Sequence, residues 1–204
     1  MSALRVVLGI GNIGERYSLT KHNIGFILLD SLAQKLKNPI IKQKKNYLYT
    51  LGRLKGEEYL LVKPTTYVNK SGDAAFYIFK EYNLDIQDLL VVTDDINLEL
   101  GKIRIRKGGG DGGHNGLASI IDALGSTEFA RMRFGIGNQF EKGEMADYVL
   151  SPFSDEEIKV VNSRIDFCNE LIISFIFGGL KNMLDNFSKN SSNNNPSLTN
   201  KGSN

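Results

Sequence analysis

Two histidines serve all 204 residues, His22 and His114, and the first is followed at once by Asn23. His22 stands where a glycine-rich segment gives way to an apolar run of helical period through Ile24, Ile27, Leu28, Leu32 and Leu36, which predicts a titratable base at a helix N-terminus. Three more polar groups fall where strand-like runs end. Asn12 follows the first run, Asn69 lies on the loop after residues 58–63, and Asp94 stops the run 89–93. If these strands are parallel neighbours, all three emerge at one sheet edge, the place where open α/β sheets bind ligands, and His22 completes a cluster there. A neutral imidazole can deprotonate water, a carboxylate can hold its tautomer, and amides can fix a carbonyl or donate to an oxyanion. That combination suits hydrolysis of an activated acyl group without a covalent intermediate.

Other chemistries lack their residues. No G-x-S-x-G elbow occurs, no glutamate pair has glycosidase spacing, and Cys168 falls on an apolar helical stripe as a small buried hydrophobe. Two histidines and a single cysteine argue against a zinc site. The turn from Gly9 to Gly14 spells G-x-G-x-x-G with Asp30 downstream, but the polar stretch 15–21 has no helical period and Asp30 lies within a helical run, so a dinucleotide site is disfavoured. On residues alone, Asp94 and Asp95 could still be turn residues or Mg²⁺ ligands, and His22 only a helix cap. A helix N-terminus disfavours protonated His22 while a nearby Asp94 favours it, and the sequence leaves that sum open.

The elements that must position these groups alternate between strand and helix, which predicts a single α/β domain with a twisted mixed, mostly parallel central sheet flanked by helices. Segments 48–54 and 58–63 read as a hairpin around Lys55-Gly56; a helix ends near Asn83; residues 89–93 form a buried parallel strand. Lys102, Arg104 and Arg106 alternate with Ile103 and Ile105, and Arg131 and Arg133 repeat the pattern, which fits either a solvated strand face or a phosphate track. Between them, residues 108–116 carry five glycines in the six positions 108–113, a loop that lets backbone approach a large ligand or moves as a lid, without the Lys-Ser/Thr ending of a nucleotide loop. Ser154 and Glu157 form a capping box for a final packing helix. Residues 188–204, rich in Asn and Ser, are expected to be a disordered tail after a catalytic domain spanning 1–187.

A net charge of +2 is too small to argue a nucleic-acid partner from the total. No signal peptide opens the chain, the apolar stretch 171–177 is far short of a membrane span, and the lone thiol fits a reducing cytoplasm, so a cytoplasmic location with no membrane partner is expected.

Taken together, Gly9-Ile10-Gly11-Asn12, His22-Asn23-Ile24-Gly25, Lys63 through Gly72, Thr93-Asp94-Asp95, Gly108 through Gly116, and Arg131 through Gly137 resemble the bacterial peptidyl-tRNA hydrolase family, in family order across residues 5–187. The resemblance implies a monomeric mixed-sheet enzyme that hydrolyses the ester between a peptide, or an N-blocked amino acid, and the 3′ end of tRNA, with no metal or organic cofactor. It implies His22 as the base and Asp94 as its orienting carboxylate. Asn12, Asn69 and Asn115 match substrate-positioning amides, Tyr17 and Tyr67 its aromatic flanks, and Arg106 and Arg133 a clamp for the tRNA 5′ phosphate. His114 matches an orienting or loop residue. Ile13 stands where the family usually has proline, Val68 where methionine is frequent, and Thr93 and Asn97 lie in a segment commonly richer in His and Asp. Some relatives look like splicing factors, so the alternative is a non-catalytic RNA-binding relative; the presence of His22, Asp94 and the three asparagines argues against it.

Overall fold

The structure, a computed structural model, describes residues 3–193. Its seven strands form one mixed sheet in the order β2-β3-β4-β1-β5-β7-β6. The four central strands, β4 (Glu57–Pro64), β1 (Arg5–Gly9), β5 (Leu89–Asp95) and β7 (Ala130–Gly135), run parallel. Antiparallel strands flank them: β3 (Tyr47–Leu54) and the short β2 (Lys42–Lys44) on one side, β6 (Ile103–Arg106) on the other. β1 and β5 are apolar without alternation because both faces of the sheet are covered. Val7 packs into the layer shared with α1 (Ile24–Lys35) and α5 (Asp155–Asn193), whereas Val6 and Leu8 pack into the layer shared with α2 (Ser71–Tyr82) and α3 (Asn115–Leu124). The parallel order β4-β1-β5 brings the loops after all three strands to one edge, as the positions of Asn12, Asn69 and Asp94 require.

The glycines around the first turn serve helix packing. A Cβ on Gly25 would meet Ile10 O at 2.5 Å and Val92 O at 2.6 Å, and one on Gly9 would meet Gly25 O at 2.6 Å. Only glycine at both positions lets the first turn of α1 lie directly on the ends of β1 and β5, which is what carries His22 to the sheet edge.

The capping box forms as expected: Ser154 N–H donates to Glu157 Oε2 at 2.7 Å and Glu157 N–H to Ser154 Oγ at 3.3 Å. The helix it starts is long and apolar enough by length and composition to cross a membrane. Here Val161, Cys168, Leu171, Ile172, Phe175 and Met183 bury its stripe against the sheet, and the backbone leaves helical geometry at Gly178 and Gly179. Residues 188–193, expected as the start of the tail, instead extend α5; Phe187 stacks on Phe167 and Asn190 Nδ2 donates to Asn186, so the last turns are tied to the turns before them. Residues 194–204 lie outside the described residues.

Candidate active site

His22 sits on a single 3₁₀ turn, Lys21–Asn23, just ahead of α1. Its neighbour fixes that turn: Asn23 Oδ1 accepts from the Asn12 N–H at 2.7 Å and Asn23 Nδ2 donates to Asn12 O at 3.0 Å. Asn12 Oδ1 in turn accepts from the Val68 N–H at 3.0 Å, which laces the loop after β1 to the loop after β4. With its oxygen taken, the Asn12 side chain keeps its amide N–H₂ for the cleft it lines.

Across this lacing, His22 Nδ1 lies 2.9 and 3.0 Å from the two carboxylate oxygens of Asp94 at the end of β5. The Asp94 contact leaves the other ring nitrogen, Nε2, unused by that carboxylate. Asp94 is buried and has a second partner, His114 Nε2, at 3.0 Å. His114 caps α3: its Nδ1 accepts from the N–H groups of Gly116 at 3.0 Å and Leu117 at 3.3 Å. An acceptor nitrogen carries no proton, so in this tautomer the proton sits on Nε2, facing Asp94 Oδ1 and Thr93 Oγ1, the latter at 2.7 Å. Ligand atoms of His22, Asp94 and His114 lie within 4.8 Å of one another, close enough to hold a metal ion. The cap works against that use, because the only unprotonated nitrogen of His114 is spent on α3. The three groups are organised as a hydrogen-bonded chain in which Asp94 receives two ring N–H groups.

Burial of the His22 ring opposes its charging, but the charge of Asp94 and its hydrogen bond outweigh that, and the pKa is raised above the ordinary value near 6.5. Burial by itself would push the Asp94 carboxyl up; the two histidines and their hydrogen bonds instead hold it well below the usual carboxylate range. Desolvation is thus an influence that opposes Asp94 at His22, beside the helix N-terminus that the sequence pointed to.

The cleft around these groups encloses about 270 Å³ and is also lined by Tyr67, Asn69, Asn115 and Arg133. Asn69 and Asn115 are exposed and Tyr67 is 56% exposed at the mouth. Tyr17 is not part of the lining; its ring packs beneath the Arg16 guanidinium at 4.6 Å.

The cations of β6 and β7 share one face, since Arg104 pairs with Arg133 and Arg106 with Arg131 in register, but they do not share an environment. Arg104 and Arg106 are exposed. Arg131 is only 2% exposed, donates to Gly110 O at 2.7 Å and Thr127 O at 3.1 Å, and stacks on Phe129, so of the five cations that alternation left as either a solvated face or a phosphate track, this one is withdrawn from the surface. Arg133 stands between the two, 3.2 Å from Asp95 Oδ2 and bonded to Asp111 O at 3.3 Å beneath the glycine-rich loop.

Several lining residues carried no signal. α4 (Met145–Leu150) supplies Met145, Ala146, Val149 and Leu150 as an apolar wall, yet its six residues are too few to show a helical period. His114 is expected only as an orienting or loop residue; the fold makes it both the cap of α3 and a donor to Asp94.

A family model described as peptidyl-tRNA hydrolase matches residues 6–195. The chain is 44% identical to the peptidyl-tRNA hydrolase of Thermotoga maritima over 86% of this chain and 92% of that one. It is 40% identical to that of Phocaeicola vulgatus over 90% and 98%. Among solved structures, the crystal structure of peptidyl-tRNA hydrolase from Acinetobacter baumannii superposes with a TM-score of 0.85 at 29% identity, covering 91% of this chain and 95% of that one.

Proposed function

This chain belongs to the peptidyl-tRNA hydrolase family, and we propose that its cleft cleaves the ester between a peptide, or an N-blocked amino acid, and the 3′ end of tRNA with His22 as base and Asp94 as orienting carboxylate. The observation that carries this reading is the Asp94 bond to His22 Nδ1, which leaves Nε2 as the acceptor. Nε2 takes a proton from water as the water oxygen attacks the ester carbonyl carbon. The negative charge that develops on the carbonyl oxygen is met by amide donors, for which Asn12, Asn69 and Asn115 are placed around the cleft. Asp94 stabilises the imidazolium while it exists. Collapse of the tetrahedral intermediate expels the ribose oxygen, which takes the proton back from His22, so peptide and free tRNA leave with the base regenerated.

Tyr67 at the mouth suits stacking on a base or ribose of the single-stranded acceptor end. Arg106 on the open face and Arg133 at the boundary between face and cleft are the proposed contacts to the 5′ phosphate, Arg133 at the cost of loosening its bond to Asp95. The enzyme acts in this reading as a cytoplasmic monomer formed by one catalytic domain. Incubating it with an N-acetyl-aminoacyl-tRNA tests the proposal: free tRNA and N-acetyl amino acid should accumulate with wild type, and tRNA that stays esterified would end it.

A further inference from the structure

The residue before His22 is a lysine at only 4% exposure, a burial that lysine tolerates when its ammonium is paired. Lys21 Nζ donates to Glu157 Oε2 at 2.9 Å and Pro152 O at 3.0 Å, and reaches Ser151 Oγ at 3.5 Å. It lies between the rings of Tyr148 and Phe153, 5.0 and 5.3 Å from their centroids. These partners belong to the end of α4, the connection that follows it and, with Glu157, the first turn of α5, so Lys21 ties both ends of the connection. The backbones are paired too: Lys21 N–H donates to Ser151 O at 3.0 Å and Phe153 N–H to Leu19 O at 3.2 Å.

None of α4's residues is buried and no side chain caps its start. Outside this strap, Tyr148 Oη donates to Ile136 O at 2.6 Å, the Tyr148 ring lies against Phe140, and Tyr148 and Val149 pack at the margin of the core, so the polar ties at its C-terminal end come mainly from Lys21. His22, by contrast, is held independently by Asp94 and, through Asn23, by Asn12. We propose that Lys21 is a positioning residue that fixes the apolar α4 wall at a set distance from His22 and so governs binding of the peptide part of the substrate, leaving the chemical step to the groups already described. This rests on the reading of the cleft as the peptidyl-tRNA site.

Three variants test it: Lys21→Met keeps the stem and removes the ammonium, Lys21→Arg restores charge and donors, and Glu157→Gln removes the partner charge at a partly exposed position. Steady-state kinetics with an N-acetyl-aminoacyl-tRNA and hydrogen exchange over residues 145–153 are the readouts. Losing a charge-assisted hydrogen bond of this kind should raise KM about tenfold in Lys21→Met, with kcat within about threefold of wild type. The acid limb of the pH–rate profile should stay in place, because the partners of His22 are untouched. Exchange should quicken over 145–153 and not over α1, Lys21→Arg should recover most of the KM, and Glu157→Gln should fall between. A kcat loss at unchanged KM, unaltered exchange over 145–153 in the folded variant, or no recovery in Lys21→Arg would overturn the proposal. If Lys21→Met does not fold, Glu157→Gln decides with the same two readouts. Should wild type fail to cleave the ester, the functional reading falls, and the exchange comparison still judges the strap.

Discussion

The cleft edge and the β6–β7 face are both built from polar residues placed by strands, and they end in opposite states. At the cleft, groups from four distant segments converge: Asn12, His22, Asp94 and His114 reach one another through bonds of 2.7–3.0 Å by way of Asn23 and Thr93. On the β6–β7 face, four arginines in perfect alternation split into an exposed pair, a buried one and an ion-paired one. Alternation assigns residues to a face, but solvent access depends on where the strand lies in the sheet. β6 is an edge strand; β7 is interior, and the glycine-rich loop folds over its side of the face, taking Arg131 and Arg133 as donors. Convergence from several segments therefore marks chemistry here more reliably than a periodic run of charge does.

The largest test of that contrast is His22→Ala. Turnover should fall about 10²–10⁴-fold, the range for losing a general base, while tRNA affinity and fold are retained. Near wild-type turnover at neutral pH would remove His22 from the mechanism and dissolve the distinction.

Asp94→Asn should also cost turnover severely, up to about 10⁴-fold, while affecting tRNA binding little. Its pH profile carries the sharper information. With His22 as the proposed base its neutral form would be the active one, so with its pKa raised by Asp94 the wild-type rate should climb with pH through a midpoint above the ordinary 6.5. Stability runs the other way: the protonated pair stabilises the fold fully below the unfolded pKa and is lost as pH rises through the raised one. Asp94→Asn should move the acid limb to lower pH; a limb that stays put would assign it to another group.

Arg131→Met probes the buried half of the cationic face. Two backbone carbonyls lose their donor, which should cost about 1–3 kcal/mol and lower Tm by several degrees in a domain of this size. The salt dependence of tRNA binding should barely move, and a clear drop in its slope would place Arg131 against RNA.

The smallest effects separate the two proposed clamp residues. Arg106→Ala should reduce the magnitude of the log–log salt slope by about 0.7–0.9, as expected for one phosphate contact. Arg133→Ala should reduce it less and also raise KM for a short substrate lacking the 5′ phosphate, because Arg133 holds Asp95 and the loop at the cleft. Identical behaviour of the two variants would mean the Asp95 pairing is irrelevant in solution.

Much of the candidate site's placement at one sheet edge is legible in the sequence. Runs of period two and period 3.6 are local signals, and strand polarity is enough to send Asn12, Asn69 and Asp94 to one edge once the strands are parallel. Those patterns also gave the α/β class, the β3–β4 hairpin and the capping box of α5. β2 and α4 escaped because three and six residues are too short to carry a period. Residues 188–193 are expected in the tail, but α5 continues through them, its polar last turns held by side chains reaching back along the helix, such as Asn190 to Asn186.

What the tertiary structure alone decided are the states of groups whose partners lie far along the chain. The place of His114 in the cluster follows from a carboxylate 20 residues away, the sign of the His22 shift from burial weighed against that carboxylate 72 residues away, and the burial of Lys21 from acceptors 130–136 residues away. No local pattern encodes such contacts, because hydrogen bonding and desolvation act through space, and only the packed sheet brings the partners within reach.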